Sequence, residues 1–176
     1  MWTCLSRPSS WIVLDWYPQL LNRFNNKSPD PLQLVDKIIW NKRSMGTGWK
    51  WRGQYEEVLH FYRSFKYIDN WGKSKVNFDL RWFGAHDFGN LVDHPRPRIH
   101  RDGHQNEKPV FVIAQLLRAV TQPGDLIVDP VCGSGASLVA AAKLGLRSIG
   151  GDNDPQWVNY SARRLKLMGF PVLIKD

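Results

Sequence analysis

The second half of the chain predicts an α/β fold, a parallel sheet covered by helices, on three observations. Strand-like and helix-like apolar stretches alternate from Val110 onward, the pattern produced by successive strand-helix units. A glycine loop, Asp129-Pro130-Val131-Cys132-Gly133-Ser134-Gly135, joins the strand-like DLIV to the Ala-rich ASLVAAAKLG. Asp152 closes the next apolar stretch, so loop and acid both fall at the carboxyl ends of strands, where such sheets bind ligands.

Taken in order, SWIVLDW reads as a short buried strand ending near Asp15, and Pro18 suits the first turn of a helix after it. QLVDKIIW and YEEVLHFY read as two β-rich stretches around a glycine-containing basic loop, an expected antiparallel pair. From Ser64 to about Glu107 periodicity fails while Gly, Asp, Asn and Pro accumulate, which predicts an irregular insertion over about residues 63–107. Val110, Ile113, Leu117 and Val120 then share one helical face. A strand from Asp125 to Asp129, a helix from Ala136 to Gly145 and a strand from Arg147 to Asp152 follow. Asp154 before Pro155 is a helix opening, with Val158, Ala162, Leu165 and Met168 as the apolar stripe. Pro171 to Ile174 would be a last strand.

With 176 residues the chain can bury a core, and a single domain over residues 1–176 is expected. A net charge of +8 and a pI near 9.7 favour an anionic partner, nucleic acid being the simplest. Two cysteines cannot build a disulfide framework, and neither an 18-residue apolar span nor an export leader is present, so a cytoplasmic, non-membrane protein is expected. The histidines His86, His94, His100 and His104 lack metal-ligand spacing, and no metal site is expected.

The G-x-G of the loop lets the backbone turn sharply and approach a ligand, because neither glycine carries a Cβ. It could equally be a tight connection with no ligand. Asp152 lies 19 residues after Gly133, close to the roughly 20-residue spacing at which a carboxylate meets ribose hydroxyls. A Rossmann oxidoreductase is disfavoured, since Leu138 stands where the third glycine of G-x-G-x-x-G belongs.

The string DPVCGSG, with IGGDNDP after it, resembles motifs I and II of the S-adenosylmethionine-dependent DNA amino-methyltransferases, which methylate the exocyclic amine of adenine or cytosine. The usual form is DPFCGSGT; here Val131 replaces Phe and Ala136 replaces Thr. His104-Gln105-Asn106-Glu107-Lys108-Pro109 stands where that family carries HPTQKP, its motif X, with three of six positions different and the spacing kept. KIIWNKRSMGTGWKWRGQYEEVLHFYR reads like the family's strand, basic loop and strand before its recognition region. The resemblance implies a Rossmann-like methyltransferase sheet with helices on both faces. It also implies S-adenosylmethionine as cofactor, held by Asp129, Pro130, Cys132, Gly133, Ser134, Gly135 and Asp152, with Lys108 at the helix opening beside it. Asp129 would orient the loop or meet the cofactor's ammonium. Double-stranded DNA is the implied partner.

Between Trp40 and Tyr55 lie Lys42, Arg43, Lys50 and Arg52 with no acid, interleaved with Trp49 and Trp51. Cations there suit phosphates, and an aromatic face can stack on a base taken out of the duplex. Lys42, Arg43, Lys50, Trp51 and Arg52 are therefore the candidate DNA contacts, a solvated hairpin tip being the plainer alternative. Residues 63–101 add eight Lys or Arg against four Asp, where the family carries target recognition.

The family's catalytic (D/N/S)PP(Y/F/W) motif has no counterpart, since no Pro-Pro pair occurs in the chain. In the motif order seen here it would precede WIVLD, so the sheet is expected to be incomplete at the strand that should carry it. A strand left without its neighbour in mid-sheet would leave backbone groups unsatisfied at roughly 1–3 kcal/mol each. Direct pairing of Leu126 to Val128 with Ile12 to Leu14, a second chain supplying the motif, or a truncated product would each answer that gap. Two functions thus stand at this level. One is a DNA methyltransferase in fragmentary or incomplete form. The other is a non-catalytic DNA-binding protein that retains the scaffold.

Overall fold

A computed structural model describes residues 10–15, 32–46, 52–68, 71–78, 83, 88–97 and 103–174. Contacts divide the chain into one unit of Met1–Trp82 with Gly89–Asp93 and another of Phe83–Phe88 with His94–Asp176.

The first unit is a sheet built around its longest strand. β1 (Ser10–Asp15) and β2 (Leu32–Asn41) both pair antiparallel with β3 (Tyr55–Ile68), placing Leu14 and Ile38 on either side of Val58. The expected antiparallel pair is therefore present, with a bulge between Leu34 and Asp36. β4 (Ser74–Phe78) folds back on the later half of β3, and β5 (Leu91–Asp93) runs parallel to β2. Val58 to Tyr62 are buried consecutively and not alternately, so side chains on both faces of β3 are covered along this run.

The reading of residues 64–107 as irregular is corrected by these strands. The hairpin turns at Trp71-Gly72, where Gly72 has φ +71, and returns along β3 from Ser74 opposite Ile68. Its strands carry Lys, Ser and Asn where an alternating apolar pattern would have announced them. The helix expected after Pro18 lies outside the described residues.

His60 sits within the buried run of β3, its ring 4.5 Å from that of Tyr62, and among the described residues its Nε2 has no hydrogen-bond partner. Burial pushes its pKa below the ordinary 6.5, with Asp36 opposing in part. Above pH 6.5 both folded and unfolded states hold it neutral; below, the unfolded chain takes up a proton that the folded chain resists. Stability should therefore fall as pH drops through 6.5 toward the folded pKa. Urea midpoints at pH 7.5 and pH 5.5 test this, and the difference between them should shrink in His60→Phe. An unchanged difference would assign the pH sensitivity elsewhere.

The second unit alternates helix and strand as predicted. α1 (Val110–Val120) leads to β6 (Leu126–Asp129), α2 (Ala136–Lys143), β7 (Arg147–Gly150) and α3 (Pro155–Leu167). β6 and β7 pair in parallel from Leu126 opposite Arg147 to Asp129 opposite Gly150. Ala114 and Leu117 of α1 close with Ala140 and Ala141 of α2 on Leu146 and Ile127, the small alanines letting the helices approach. Leu126, Val128 and Ile149, on the opposite strand face, remain 45%, 47% and 57% exposed. Within this unit, among the described residues, β6 pairs with β7. Residues 171–174 form no strand. Phe170 and Val172 instead pack on Cys132, Leu138, Val139 and Leu165.

No helix among the described residues is long and apolar enough to cross a membrane.

Candidate functional site

The loop from Asp129 to Gly135 is held from inside by its own backbone. Gly151 N–H donates to the Asp129 carbonyl at 2.9 Å and Cys132 N–H to the Gly151 carbonyl at 2.8 Å, extending the β6–β7 ladder past the strand ends. Gly135 N–H then closes a tight turn on the Cys132 carbonyl at 2.8 Å. That turn requires positive φ at Gly133 (+49), and Gly135 (+75) takes the same region as the residue capping α2.

Both glycines are also positions of close approach. A Cβ on Gly133 would stand 3.2 Å from His104 Nε2, and one on Gly135 would stand 2.6 Å from the Ser161 Cβ of α3. Gly150 explains the missing third glycine: the Leu138 side chain occupies the space where a Gly150 Cβ would lie, 2.5 Å from Leu138 Cδ1. Close helix-strand packing is kept here by removing the side chain from the strand and not from the helix.

Asp129 has its carboxylate turned inward. One oxygen accepts from Val131 N–H at 3.1 Å and the other from the Ser137 hydroxyl, so it orients the loop and the first turn of α2. Asp152 reaches across from the end of β7. Its Oδ2 accepts from Gly133 N–H at 2.9 Å and its Oδ1 from Asp154 N–H at 3.1 Å. A carboxylate offers about four acceptor positions, so two further donors can be met at this half-buried group. Asp154 is the expected N-cap, accepting from Gln156 N–H at 2.9 Å.

Cys132 and Ser134 are buried, at 7% and 3% exposure. Burial raises the Cys132 thiol pKa, with the nearby Asp129 and Asp152 adding to it, which makes it a packing residue of the loop. Pro130 is exposed in the loop, and Lys108 is half-buried one residue before Pro109, the capping position of α1. Sequence reasoning missed the groups behind the loop. Arg164 of α3 donates to the Ser134 carbonyl at 3.0 Å and pairs with Glu107 at 2.8 Å. His104 places its ring edge-on to Trp157 at 4.5 Å. Neither contact has a spacing signal, since residues 104–107 and 157–164 lie on opposite sides of the loop in sequence.

The basic segment divides. The Lys42 amine is buried and paired with the Glu56 carboxylate, at 3.5 Å with side chains 8% and 2% exposed. It is therefore corrected from a surface DNA contact to a fastener between β2 and β3. Arg43, at φ +52, makes a two-pronged pair with Asp93 at 2.9 and 2.7 Å, and Asn41 donates to the same carboxylate at 3.1 Å. Arg52 is exposed, with Nε on the Gly46 carbonyl at 2.8 Å. Lys50 and Trp51 lie outside the described residues.

A family model described as DNA methylase, of the N6/N4 methyltransferase type, matches residues 9–163. Over 121 residues the sequence is 27% identical to the type II methyltransferase M.HhaII of Haemophilus parahaemolyticus, covering 69% of this chain and 47% of that protein. It is 31% identical over 153 residues to the DNA adenine methyltransferase YhdJ of Escherichia coli, covering 75% and 52%. The crystal structure of an M1.HpyAVI–SAM complex shares the fold at a TM-score of 0.65 and 16% identity, covering 89% of this chain and 74% of that one. The chain thus spans about half the length of these two curated relatives.

Proposed function

The chain belongs to the N6/N4 DNA methylase family, and from that premise we propose that it forms the S-adenosylmethionine-binding part of a DNA methyltransferase acting on the exocyclic amine of adenine or cytosine. The observation that carries this reading is the Asp152 to Gly133 hydrogen bond. It brings the acid at one strand end onto the glycine turn at the other, leaving carboxylate acceptor positions beside that turn. A vicinal diol such as a ribose fits those acceptors, and the backbone of Gly133 to Gly135 fits close approach by the rest of the ligand. When bound, S-adenosylmethionine supplies an electrophilic methyl group on sulfonium.

In this reading Asp152 holds the ribose. Asp129 keeps the loop in shape through Val131 and Ser137, and Cys132 and Ser134 form its buried underside. Lys108 stands at the opening of α1, and Pro130 lies on the exposed side of the loop. Double-stranded DNA is the partner. Arg43 and Arg52 are exposed cations of the basic hairpin that suit its phosphates, and Lys50 and Trp51 extend the same stretch in sequence. Such a protein works in the cytoplasm. No residue of this chain is assigned to accept the target amine's proton, and a second chain or further sequence bearing a Pro-Pro motif would supply that half.

Calorimetric titration of the chain with S-adenosylmethionine should give saturable heat near one ligand per chain. Tritiated methyl groups should enter unmethylated duplex DNA once a fragment bearing the Pro-Pro motif is added. No binding heat with or without that fragment would sink the reading.

A further inference from the structure

The turn before α1 is tied to the glycine loop and to α3 at two points. Glu107 N–H closes that turn on the His104 carbonyl at 3.0 Å, and Asn106 N–H donates to His104 Nδ1 at 3.2 Å. With Nδ1 accepting, a neutral His104 carries its proton on Nε2, the atom that faces Gly133. The ring is also set edge-on against Trp157. On the other side of the turn, the Glu107 carboxylate takes one arm of the Arg164 guanidinium, which also donates to the Ser134 carbonyl. The two side chains are 19% and 25% exposed, so this ion pair is partly desolvated where it meets the loop at Ser134.

The Ser134 carbonyl belongs to the same rigid peptide as Gly135 N–H, and the two point in opposite directions. Holding the carbonyl on Arg164 therefore aims Gly135 N–H at the Cys132 carbonyl, the bond that closes the turn. In place of the Gln of the HPTQKP string this chain has Glu107, which gives the guanidinium a charged partner.

We propose that Arg164, held by Glu107, is a positioning residue for the cofactor loop, acting through the Ser134 carbonyl to set the peptide that closes the glycine turn. The role as a cofactor loop rests on the function proposed above; the effect on the turn does not. A charge-assisted hydrogen bond of this kind contributes enough that its loss should weaken ligand binding about tenfold or more.

The experiment measures S-adenosylmethionine affinity by calorimetry, and amide exchange at Gly133 and Gly135 by NMR, in the full chain and in Arg164→Met, Arg164→Lys and Glu107→Gln. Arg164→Met should lose about tenfold in affinity and speed Gly135 exchange by a similar factor, while the β6 and β7 amides keep their protection. Arg164→Lys should recover part of both, since an ammonium can donate to the same two oxygens but from a shorter side chain. Glu107→Gln should lose least, because its amide oxygen still accepts from the guanidinium. Should Arg164→Met not fold, the Lys and Gln variants carry the same comparison. A lower melting temperature with wild-type affinity and wild-type Gly135 exchange would show a merely structural ion pair and overturn the proposal. If the unaltered chain binds no S-adenosylmethionine, the cofactor reading fails, and the Gly135 exchange rates still decide whether Arg164 sets the turn.

Discussion

Replacing Gly135 with alanine is expected to destabilise the protein by about 2–6 kcal/mol and to abolish ligand binding by the loop. Two costs add. A side chain at φ +75 is strained by roughly 1–3 kcal/mol. Its Cβ would also lie 2.6 Å from the Ser161 Cβ and 3.3 Å from the Ser161 Cα, closer than carbon atoms pack. Those atoms belong to the body of α3 at a buried position, so relief requires moving the helix, at roughly 1–3 kcal/mol of overpacking. Against a usual total of about 5–15 kcal/mol such a loss is large. Urea unfolding measures it. Gly145→Ala is the comparison, since Gly145 has φ +70 with nothing within 4 Å of an added Cβ and should show the backbone cost alone. If the two variants are destabilised equally, the contact with Ser161 is not what requires glycine at 135.

Asp152→Ala should lower S-adenosylmethionine affinity on the order of a hundredfold while costing only about 1 kcal/mol of stability. The stability term is the loss of two acceptors for the N–H groups of Gly133 and Asp154, both in a partly exposed turn. The affinity term is larger, because hydrogen bonds from ligand hydroxyls to a charged carboxylate are lost together with the group that holds the Gly133 peptide. Asp152→Asn keeps one acceptor oxygen and should lose closer to tenfold. Calorimetric titration of both variants checks the order. Alanine and asparagine variants that bind as well as the parent would reduce Asp152 to a turn-capping residue.

Much of the second unit could be read in the chain because its signals are local. Val110 to Val120, Leu126 to Asp129 and Pro155 to Leu167 follow from periodicity and from the Asp154-Pro155 opening, and the structure moves their ends by a residue or two. The first unit was harder. β4 and the later half of β3 carry mixed polar residues, so residues 64–78 read as irregular in sequence although they pair as a hairpin. The tail at 171–174 erred in the other direction. Its apolar run reads as a strand, yet only Val172 of it packs on the cluster behind the loop, while Leu173 and Ile174 stay exposed. In the basic segment the charge of Lys42 is plain in the sequence, and only the neighbouring strand shows that Glu56 takes it.

By itself the sequence determined the alternation of the second unit, the glycine turn and the acid at the next strand end, because each depends on residues within a helix turn or a loop of one another. Tertiary structure alone decided which residues stand behind that turn. His104, Ser161 and Arg164 meet loop residues 26 or more positions away in sequence, with Glu107 holding Arg164, and nothing in local spacing records which helix face or which turn will arrive there. It decided as well that Leu138 could replace a glycine, since the space it needs is made by Gly150 on the adjoining strand. Side-chain volume and charge are written in the chain, but the partner that fills or neutralises them is chosen only when the elements pack.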